Sequence, residues 1–402
     1  MSIEQGADIV FTEELVSKRL SQCRREQNGD YIHYIDKEDI MLTLKQSEQS
    51  KTILQLGTFD DESSLKSAEL IKEVCGIDIN LGCGMRFSTK GEMGQALVPN
   101  RPKLSQIIQQ LKRVNKPISA KIRLQSSTEE TVEFIRWLQN EGISLITLHG
   151  RRHKQFYTID SDWDELKKVV IDLYELKSKE NLKYLSEEMI ECMNEMNLLE
   201  KLLTSETSEI NENNCHCHQS EIIQKTMIQL KQLQQFPLLL NGDICKQEDI
   251  TLLSSIRPNV KGVMIGRASG VHLGLFNPLG GDYLFSKEQL YTTMLDFIVR
   301  AQKEQLTFKK IKFVLLQMIR YQKDYPYGKW RSIDKHSEEM RKKINLKLTQ
   351  INTELSQLKS IENIIQFLAV EPPSKEAFCT GNTDNDHVEQ ILSEKEIHFE
   401  EK

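Results

Sequence analysis

The chain of 402 residues has no apolar run that approaches the roughly 20 residues needed to span a bilayer. Its first residues, MSIEQGADIVF, carry no basic segment ahead of an apolar stretch, as a secretory leader would. The eight cysteines follow no framework spacing, so they are expected to be reduced thiols. We therefore expect a soluble protein of the cytoplasm, with the nucleus as the alternative, that makes no contact with a membrane.

The common phosphate-binding glycine patterns are also missing, because neither the dinucleotide fingerprint nor the P-loop spacing occurs. Glycines are concentrated instead at 76–97, GIDINLGCGMRFSTKGEMGQAL, where an alternating apolar run leads to Cys83 and a helix follows. This pattern predicts a strand that delivers a thiol to a loop at its C-terminal end. The net charge of −6 gives no global reason to expect nucleic acid as a partner.

Short apolar segments alternate with helical patterns over the first two thirds of the chain. The segments predict strands that begin near residues 7, 52, 77, 118, 144, 237 and 261. Nearly continuous apolar strands separated by helices indicate a parallel sheet covered by helices, which is an α/β fold. Beside this alternation, the sequence predicts a helix over 14–26 and a hairpin over 31–44.

A closed (β/α)8 barrel of the TIM type needs eight strands, one more than the sequence predicts. Either the sheet is open, or the first barrel strand is missing ahead of residue 7. We expect a TIM-type barrel domain over 1–285, an all-α helical domain over 286–370, and a disordered acidic tail over 371–402.

The connection before the strand near residue 237 is too long for one helix, which predicts a helical insertion at about 165–230. Cys215, His216, Cys217 and His218 follow one another inside it. Paired zinc ligands are usually separated by two to four residues, so we expect no metal site.

Polar residues recur where the predicted strands end, which is where the reacting groups of such a barrel lie. The strand ends carry Gln55, Asn80, Cys83, Lys121, Arg123, His149, Arg151, Asn241, and Arg267 next to Gly266. A single lysine or histidine in such a place is more often solvated or structural, but the joint pattern indicates a site. The last two turns, NGD and IGR, suit phosphate binding through backbone N–H groups and a cation.

Several segments in order resemble the tRNA-dihydrouridine synthases, and most closely the eukaryotic cytoplasmic branch that acts on position twenty of the D-loop. The segments are GADIVFTEEL, ILQLGT, GIDINLGC, FSTKGEMGQAL, AKIRL, ITLHGRR, LLLNGDI and VMIGRA. The resemblance implies a flavin-bearing (β/α)8 barrel with FMN as cofactor, NADPH as reductant, and a C-terminal helical domain that holds tRNA. We expect a monomer.

The resemblance also implies roles for individual residues. Cys83 would be the general acid that protonates uracil C5, since a thiol with a pKa near 8.5 is mostly protonated at neutral pH. The implied contacts with FMN are Gln55, Lys121 and His149 at the ring and Asn241, Gly242, Asp243, Gly266 and Arg267 near the phosphate. The expected contacts with the RNA substrate are Asn80, Arg123 and Arg151 in the barrel and Lys309, Lys310, Lys312 and Arg320 in the basic helical domain.

Two departures from the family leave alternatives open. The family's first strand has no counterpart, and Gly84 follows Cys83 where the family has proline, which loosens the loop that aims the thiol. One alternative is therefore a tRNA-binding homologue that no longer holds FMN and has lost the reduction. Another is a different flavin barrel, such as a dihydroorotate-type dehydrogenase, although the basic helical domain disfavours it.

Overall fold

A computed structural model describes residues 1–155, 159–174, 236–270, 273–276, 287–304, 306–324 and 335–370. The described residues form two compact units, one up to Ser269 together with 273–276 and one made of the helices from Lys287 onward. Most of the predicted insertion, with Cys215–His218, and the predicted acidic tail lie outside the described residues.

The first unit is built on a parallel sheet. The strands of the unit are β1 (Val10–Phe11), β2 (Leu15–Val16), β3 (Arg24–Asn28), β4 (Tyr31–Asp36), β5 (Asp39–Lys45), β6 (Thr52–Gly57), β7 (Gly76–Asn80), β8 (Ile118–Leu124), β9 (Leu145–Arg152), β10 (Leu238–Asn241) and β11 (Val260–Met264). The main sheet has the order β1-β6-β7-β8-β9-β10-β11, and every pair in it is parallel.

Strands β1 and β2 pair one after the other along the same edge of β6, with Val10 opposite Thr52 and Leu15 opposite Leu56. They therefore fill one strand position, and the seven predicted positions are all present. Within the described residues, β1 and β11 are not paired with each other. A parallel sheet of this order with helices between its strands fits an α/β fold of the TIM type.

Helices connect the strands of the main sheet. They are α1 (Ser17–Leu20), α2 (Asp61–Leu70), α3 (Arg86–Lys90), α4 (Arg101–Lys112), α5 (Thr128–Glu141), α6 (Trp163–Tyr174) and α7 (Gln247–Ser254). The starts of α2 and α5 follow from capping, because the side chains of Asp60 and Ser127 accept hydrogen bonds from the backbone N–H groups of Ser63 and Glu130.

The core lies between these helices and the sheet. Strands β6 and β7 are buried along their whole length, as expected of strands covered on both faces. Helix α4 contributes Leu104, Ile107, Ile108 and Leu111, which recur at helical spacing and have no exposed surface. The apolar periodicity of the sequence thus fixes which face of α4 meets the sheet.

The predicted helix over 14–26 is wrong. Only Ser17–Leu20 is helical, and Arg24–Asn28 forms a strand that pairs with Tyr31–Asp36 across a turn at Gly29. The third strand, β5, completes an antiparallel sheet in the order β3-β4-β5, which contains the predicted hairpin. Pairing with β4 outweighs the weak helical preference of this polar segment, since helix propensity alone is a weak guide.

The second unit contains helices α8 (Lys287–Lys303), α9 (Phe308–Asp324), α10 (Lys335–Gln357) and α11 (Ile361–Val370). The longest of them, α10, has 23 residues. Buried apolar residues join the four helices, among them Met294, Ile298, Ile311, Leu315, Leu348, Leu355, Ile364 and Leu368. Of the helices described in either unit, none has the length and apolarity needed to cross a membrane.

Candidate active site

One face of the parallel sheet carries polar side chains on neighbouring strands. Residues in register on parallel strands share a face, so these side chains form continuous rows. The pairs in register are Gln55 with Asp78, Asp78 with Ser119, Asn80 with Lys121, Lys121 with Thr147, Arg123 with His149, and His149 with Asn241. The structure therefore brings together most of the strand-end residues that the sequence predicts.

Hydrogen bonds hold the loop that carries Cys83. The Asn80 Oδ1 accepts from the backbone N–H groups of Gly82 at 3.0 Å and Cys83 at 2.9 Å, while Gln95 Nε2 donates to the Gly82 carbonyl at 3.0 Å. Gly94 closes the loop at a φ of 61°, and a Cβ there would lie 2.5 Å from the Cys83 carbonyl oxygen. Only glycine fits this position, so the glycine spacing after Cys83 serves to pack the loop.

The Cys83 thiol holds its proton strongly. Burial is the largest cause and a hydrogen bond with Glu14 the next, and together they raise the pKa of Cys83 to about 11. Glu14 is held in turn, because Ser88 Oγ donates to its Oε1 at 3.0 Å. At neutral pH this cysteine is a proton donor rather than a thiolate nucleophile.

Lys121 and His149 lie beside one another on β8 and β9. Burial lowers the pKa of Lys121 to about 8, against the opposing effect of Asp78. Burial and the nearby cations Lys121, Arg123 and others lower the pKa of His149 well below its ordinary value, so the imidazole is neutral. His149 Nδ1 accepts from the Arg151 backbone N–H at 3.1 Å, which leaves the proton on Nε2.

Asp243 links two arginines beneath the ends of β9 and β10. Arg151, 2% exposed, donates through one nitrogen to both carboxylate oxygens of Asp243 at 2.8 and 2.7 Å. Arg267 donates to Asp243 Oδ1 at 2.7 Å, and the Ser161 backbone N–H donates to Oδ2 at 2.8 Å. Both oxygens of Asp243 are thus engaged within the protein, and this carboxylate fixes two cations of the site.

Two glycines of the predicted phosphate turns differ in their surroundings. Gly242 has a φ of 122°, and a Cβ there would lie 2.2 Å from Ser161 Oγ. Its carbonyl oxygen accepts from Trp163 Nε1 at 2.9 Å. Gly266 faces open space, since a Cβ there would meet no atom within 4 Å in the described structure. Gly242 is required by packing, whereas Gly266 leaves room for a ligand.

Some predicted contact residues are committed to the protein itself. Arg123 donates to the carbonyl oxygens of Gly82 at 2.8 Å and Gln155 at 2.6 Å, and Asn241 Nδ2 donates to the Met264 carbonyl at 2.7 Å. In the second unit, the lysine at 312 donates to two carbonyl oxygens where α10 ends. Lys309 and Arg320 are exposed on α9 and Lys310 is half-buried.

Comparison with known proteins finds a similarity within the first unit. Residues 28–174 match the model of a family described as dihydrouridine synthase (Dus). This segment of the chain is therefore similar to the dihydrouridine synthases. The matched residues include Cys83, its loop and the polar rows of strands β6 to β9, so the candidate site lies largely within the matched segment.

Curated relatives carry the same family name. A tRNA-dihydrouridine(20) synthase (NAD(P)+) of Saccharomyces cerevisiae is 33% identical over 168 residues, which are 38% of this chain and 44% of that protein. The tRNA-dihydrouridine(20) synthase of Schizosaccharomyces pombe is 30% identical over 184 residues, 42% of this chain and 38% of that protein. The chain thus spans less than half the length of these relatives. Both of these relatives are named for position twenty of the tRNA.

Three residues of the site were not expected from the sequence. Asp78 contacts Gln55 and Ser119, and Glu14 faces the thiol. Ser161 lies between the turns of β9 and β10. A signal for Asp78 was present, because it alternates with Ile77 and Ile79 and so shares the face of Asn80. Glu14 and Ser161 lie in connecting segments with no such pattern.

Proposed function

We propose that the chain is an FMN-dependent tRNA-dihydrouridine synthase that reduces a D-loop uridine with NADPH. The observation that carries this proposal is the raised pKa of Cys83, which follows a strand of the sheet face that carries the polar and cationic side chains. A thiol that stays protonated to about pH 11 is suited to give a proton to a carbon, and the surrounding cations suit an anionic cofactor.

The described residues fit a flavin phosphate. Arg151 and Arg267 both form ion pairs with Asp243, which holds two guanidinium groups next to each other. Ser161 Oγ and Thr147 Oγ1 are buried and have no hydrogen-bond partner among the described residues. Buried hydroxyls without partners are costly, and a bound polar ligand would satisfy them.

Each polar side chain of the site then has a proposed role in the reaction. A flavin bound here would supply the hydride that reduces uracil C6. Cys83 would donate its proton to C5, while Asn80 holds the backbone of Cys83 in place. Gln55 and Lys121 would orient the ring system by hydrogen bonds, and the neutral His149 would donate from Nε2.

The tRNA is the proposed partner, and the family names support it. The rim next to Cys83 exposes two large apolar side chains, Met85 at 62% and Phe87 at 56%. Arg86 and Lys90 lie exposed in the same short helix. Unstacked RNA bases bind such aromatic and cationic surfaces, which suits a uridine withdrawn from its stack. Exposed Lys309 and Arg320 of the second unit are proposed to contact the RNA backbone.

We propose position twenty as the target uridine, since the two relatives named above act, by name, at that position. The proposed location is the cytoplasm, and the proposed state is a monomer. Expected results with purified protein are a flavin absorption band that stays with the protein after added FMN has been separated from it, and NADPH-dependent bleaching of that band. A protein that is colourless after this separation but binds tRNA would instead support the alternative of an inactive tRNA-binding homologue.

Substitution of the two glycines is expected to separate packing from ligand binding. Gly266→Ala should change the free energy of unfolding by no more than about 0.5 kcal/mol, because the new methyl group meets no atom of the described residues. It should still weaken FMN binding by about tenfold if the phosphate lies there. Gly242→Ala should destabilise the apoprotein by about 1–3 kcal/mol, through its φ of 122° and the contact with Ser161. FMN titration and urea unfolding measure both effects, and tight FMN binding by Gly266→Ala would contradict the phosphate assignment.

The pH dependence of uridine reduction is expected to report Lys121 rather than Cys83. Burial is the main cause that lowers the pKa of Lys121 to about 8, and the positive charge of Arg123 lowers it further. The charges of Asp78, Cys83 and Glu14 act in the opposite direction and raise this pKa. Lys121 is charged below this pKa and neutral above it, so the single-turnover rate should fall as pH rises through about 8. Lys121→Arg stays charged and should remove this decline. A decline that persists in Lys121→Arg would contradict the assignment.

A further inference from the structure

A buried carboxylate lies next to the site and has no task in the chemistry described above. Asp78 is 0% exposed, in the middle of β7. Ser119 Oγ donates to its Oδ1 at 2.6 Å, and Gln55 Nε2 donates to its Oδ2 at 2.8 Å. Buried acids are rare unless they are paired, and this one is satisfied by two neutral donors.

The hydrogen bonds continue from Asp78 to the cysteine loop. Gln55 Oε1 accepts from Asn80 Nδ2 at 3.0 Å. Asn80 Oδ1 then accepts from the backbone N–H groups of Gly82 and Cys83. The chain of hydrogen bonds therefore connects Asp78 to the backbone of Cys83 through two side-chain amides.

Each hydrogen bond between Asp78 and the Cys83 backbone has one possible direction. A backbone N–H can only donate, so Asn80 must turn its oxygen toward Cys83 and its nitrogen toward Gln55. Gln55 must then accept with its oxygen and donate with its nitrogen. A carboxylate can only accept, so Asp78 suits the last position in this series of hydrogen bonds. A donor or an apolar group at that position would leave the Gln55 amide without its partner.

We propose that Asp78 is a positioning residue that fixes the amide orientation of Gln55 and, through Asn80, the placement of the Cys83 loop. This inference rests on the proposed function for its meaning, because Gln55 and Cys83 are the groups proposed there to serve the flavin and the uracil. The hydrogen-bond chain itself involves neither flavin nor RNA. It can therefore be tested on the apoprotein.

The test compares alkylation of two cysteines on one strand by iodoacetamide. Cys83 follows the C-terminal end of β7, and Cys75 precedes the start of this strand. The Cys75 thiol donates a hydrogen bond to the Thr52 carbonyl oxygen. Both cysteines fall in one tryptic peptide, so fragment-ion mass spectrometry gives the ratio of the alkylation rate of Cys83 to that of Cys75, and Cys75 is the internal control. Asp78→Leu should raise the ratio of Cys83 to Cys75 by about fivefold, the effect of losing about one net hydrogen bond.

Asp78→Asn is the matched variant. Its side-chain oxygen can accept from Gln55 while its nitrogen donates to Ser119, whose hydroxyl can reverse. The ratio should therefore stay within about twofold of the unchanged protein. If Asp78→Leu does not fold, Gln55→Leu removes the hydrogen bonds of Gln55 with Asp78 and Asn80 and should also raise the ratio by about fivefold.

A ratio in folded Asp78→Leu or Gln55→Leu equal to that of the unchanged protein would overturn the proposal. An equal rise in Asp78→Asn and Asp78→Leu would also overturn it, because the negative charge and not the hydrogen-bond direction would then matter. The result does not depend on turnover. A chain without reductase activity could still show the predicted ratios, so failure of the proposed function is distinguishable from failure of this inference.

Discussion

Cys83→Ala is expected to lower the rate of uridine reduction by about 10²- to 10⁴-fold, the usual contribution of a positioned general acid. The pKa of about 11 keeps the thiol protonated throughout the physiological range, and alanine has no proton to give. Flavin and tRNA affinities should change by less than about twofold, since the thiol holds neither ligand in the proposed mechanism. Single-turnover reduction of unmodified tRNA by flavin-loaded protein measures the effect.

Cys75→Ala is the control for this substitution, because Cys75 lies before the start of the same strand, away from the site. It should retain the full rate. If Cys83→Ala reduced uridine at the rate of the unchanged protein, the proton would come from another group and the role of Cys83 would be wrong.

Asp243→Asn is expected to destabilise the first unit by about 3–5 kcal/mol. Asp243 is 4% exposed and neutralises Arg151, which is itself buried. Asparagine keeps the shape and tolerates the positive φ of 55° at this position, so the loss reports the charge. The measurement is the urea midpoint of unfolding followed by the fluorescence of Trp137 and Trp163 of the first unit, in a background in which Trp330 is replaced by phenylalanine.

A surface pair provides the matched control. Arg19 donates to Asp39 at 3.0 Å, and the Asp39 side chain is 78% exposed. Asp39→Asn should change stability by less than about 1 kcal/mol, because exposed ion pairs are screened by water. Equal effects of Asp39→Asn and Asp243→Asn would show that the buried carboxylate does not hold the two arginines in place.

The sequence was sufficient to predict the seven strand positions of the parallel sheet, because buried parallel strands leave apolar runs that are easy to recognise. Cys83 and the residues around His149 could be predicted because parallel strands place their C-terminal ends at one edge. Gly94 was recognised as part of a glycine-rich loop, although its steric reason, the approach to the Cys83 carbonyl, is visible only in three dimensions.

Long-range pairing accounts for what the sequence did not reveal. The bond from Arg151 to Asp243 joins residues 92 positions apart, and nothing local shows that Asp243 serves an arginine rather than a ligand. Glu14 reaches Ser88 across 74 positions. The segment at Arg24–Asn28 forms a strand only because β4 lies beside it. In each case the partner decides the role of the residue.

The most direct test of the account is nucleoside mass spectrometry of unmodified tRNA after incubation with the full chain, FMN and NADPH. The account predicts dihydrouridine at a single D-loop position with the unchanged protein and with Cys75→Ala, and at most a trace with Cys83→Ala. A protein that binds both FMN and tRNA, oxidises NADPH and still leaves every uridine unchanged would contradict it.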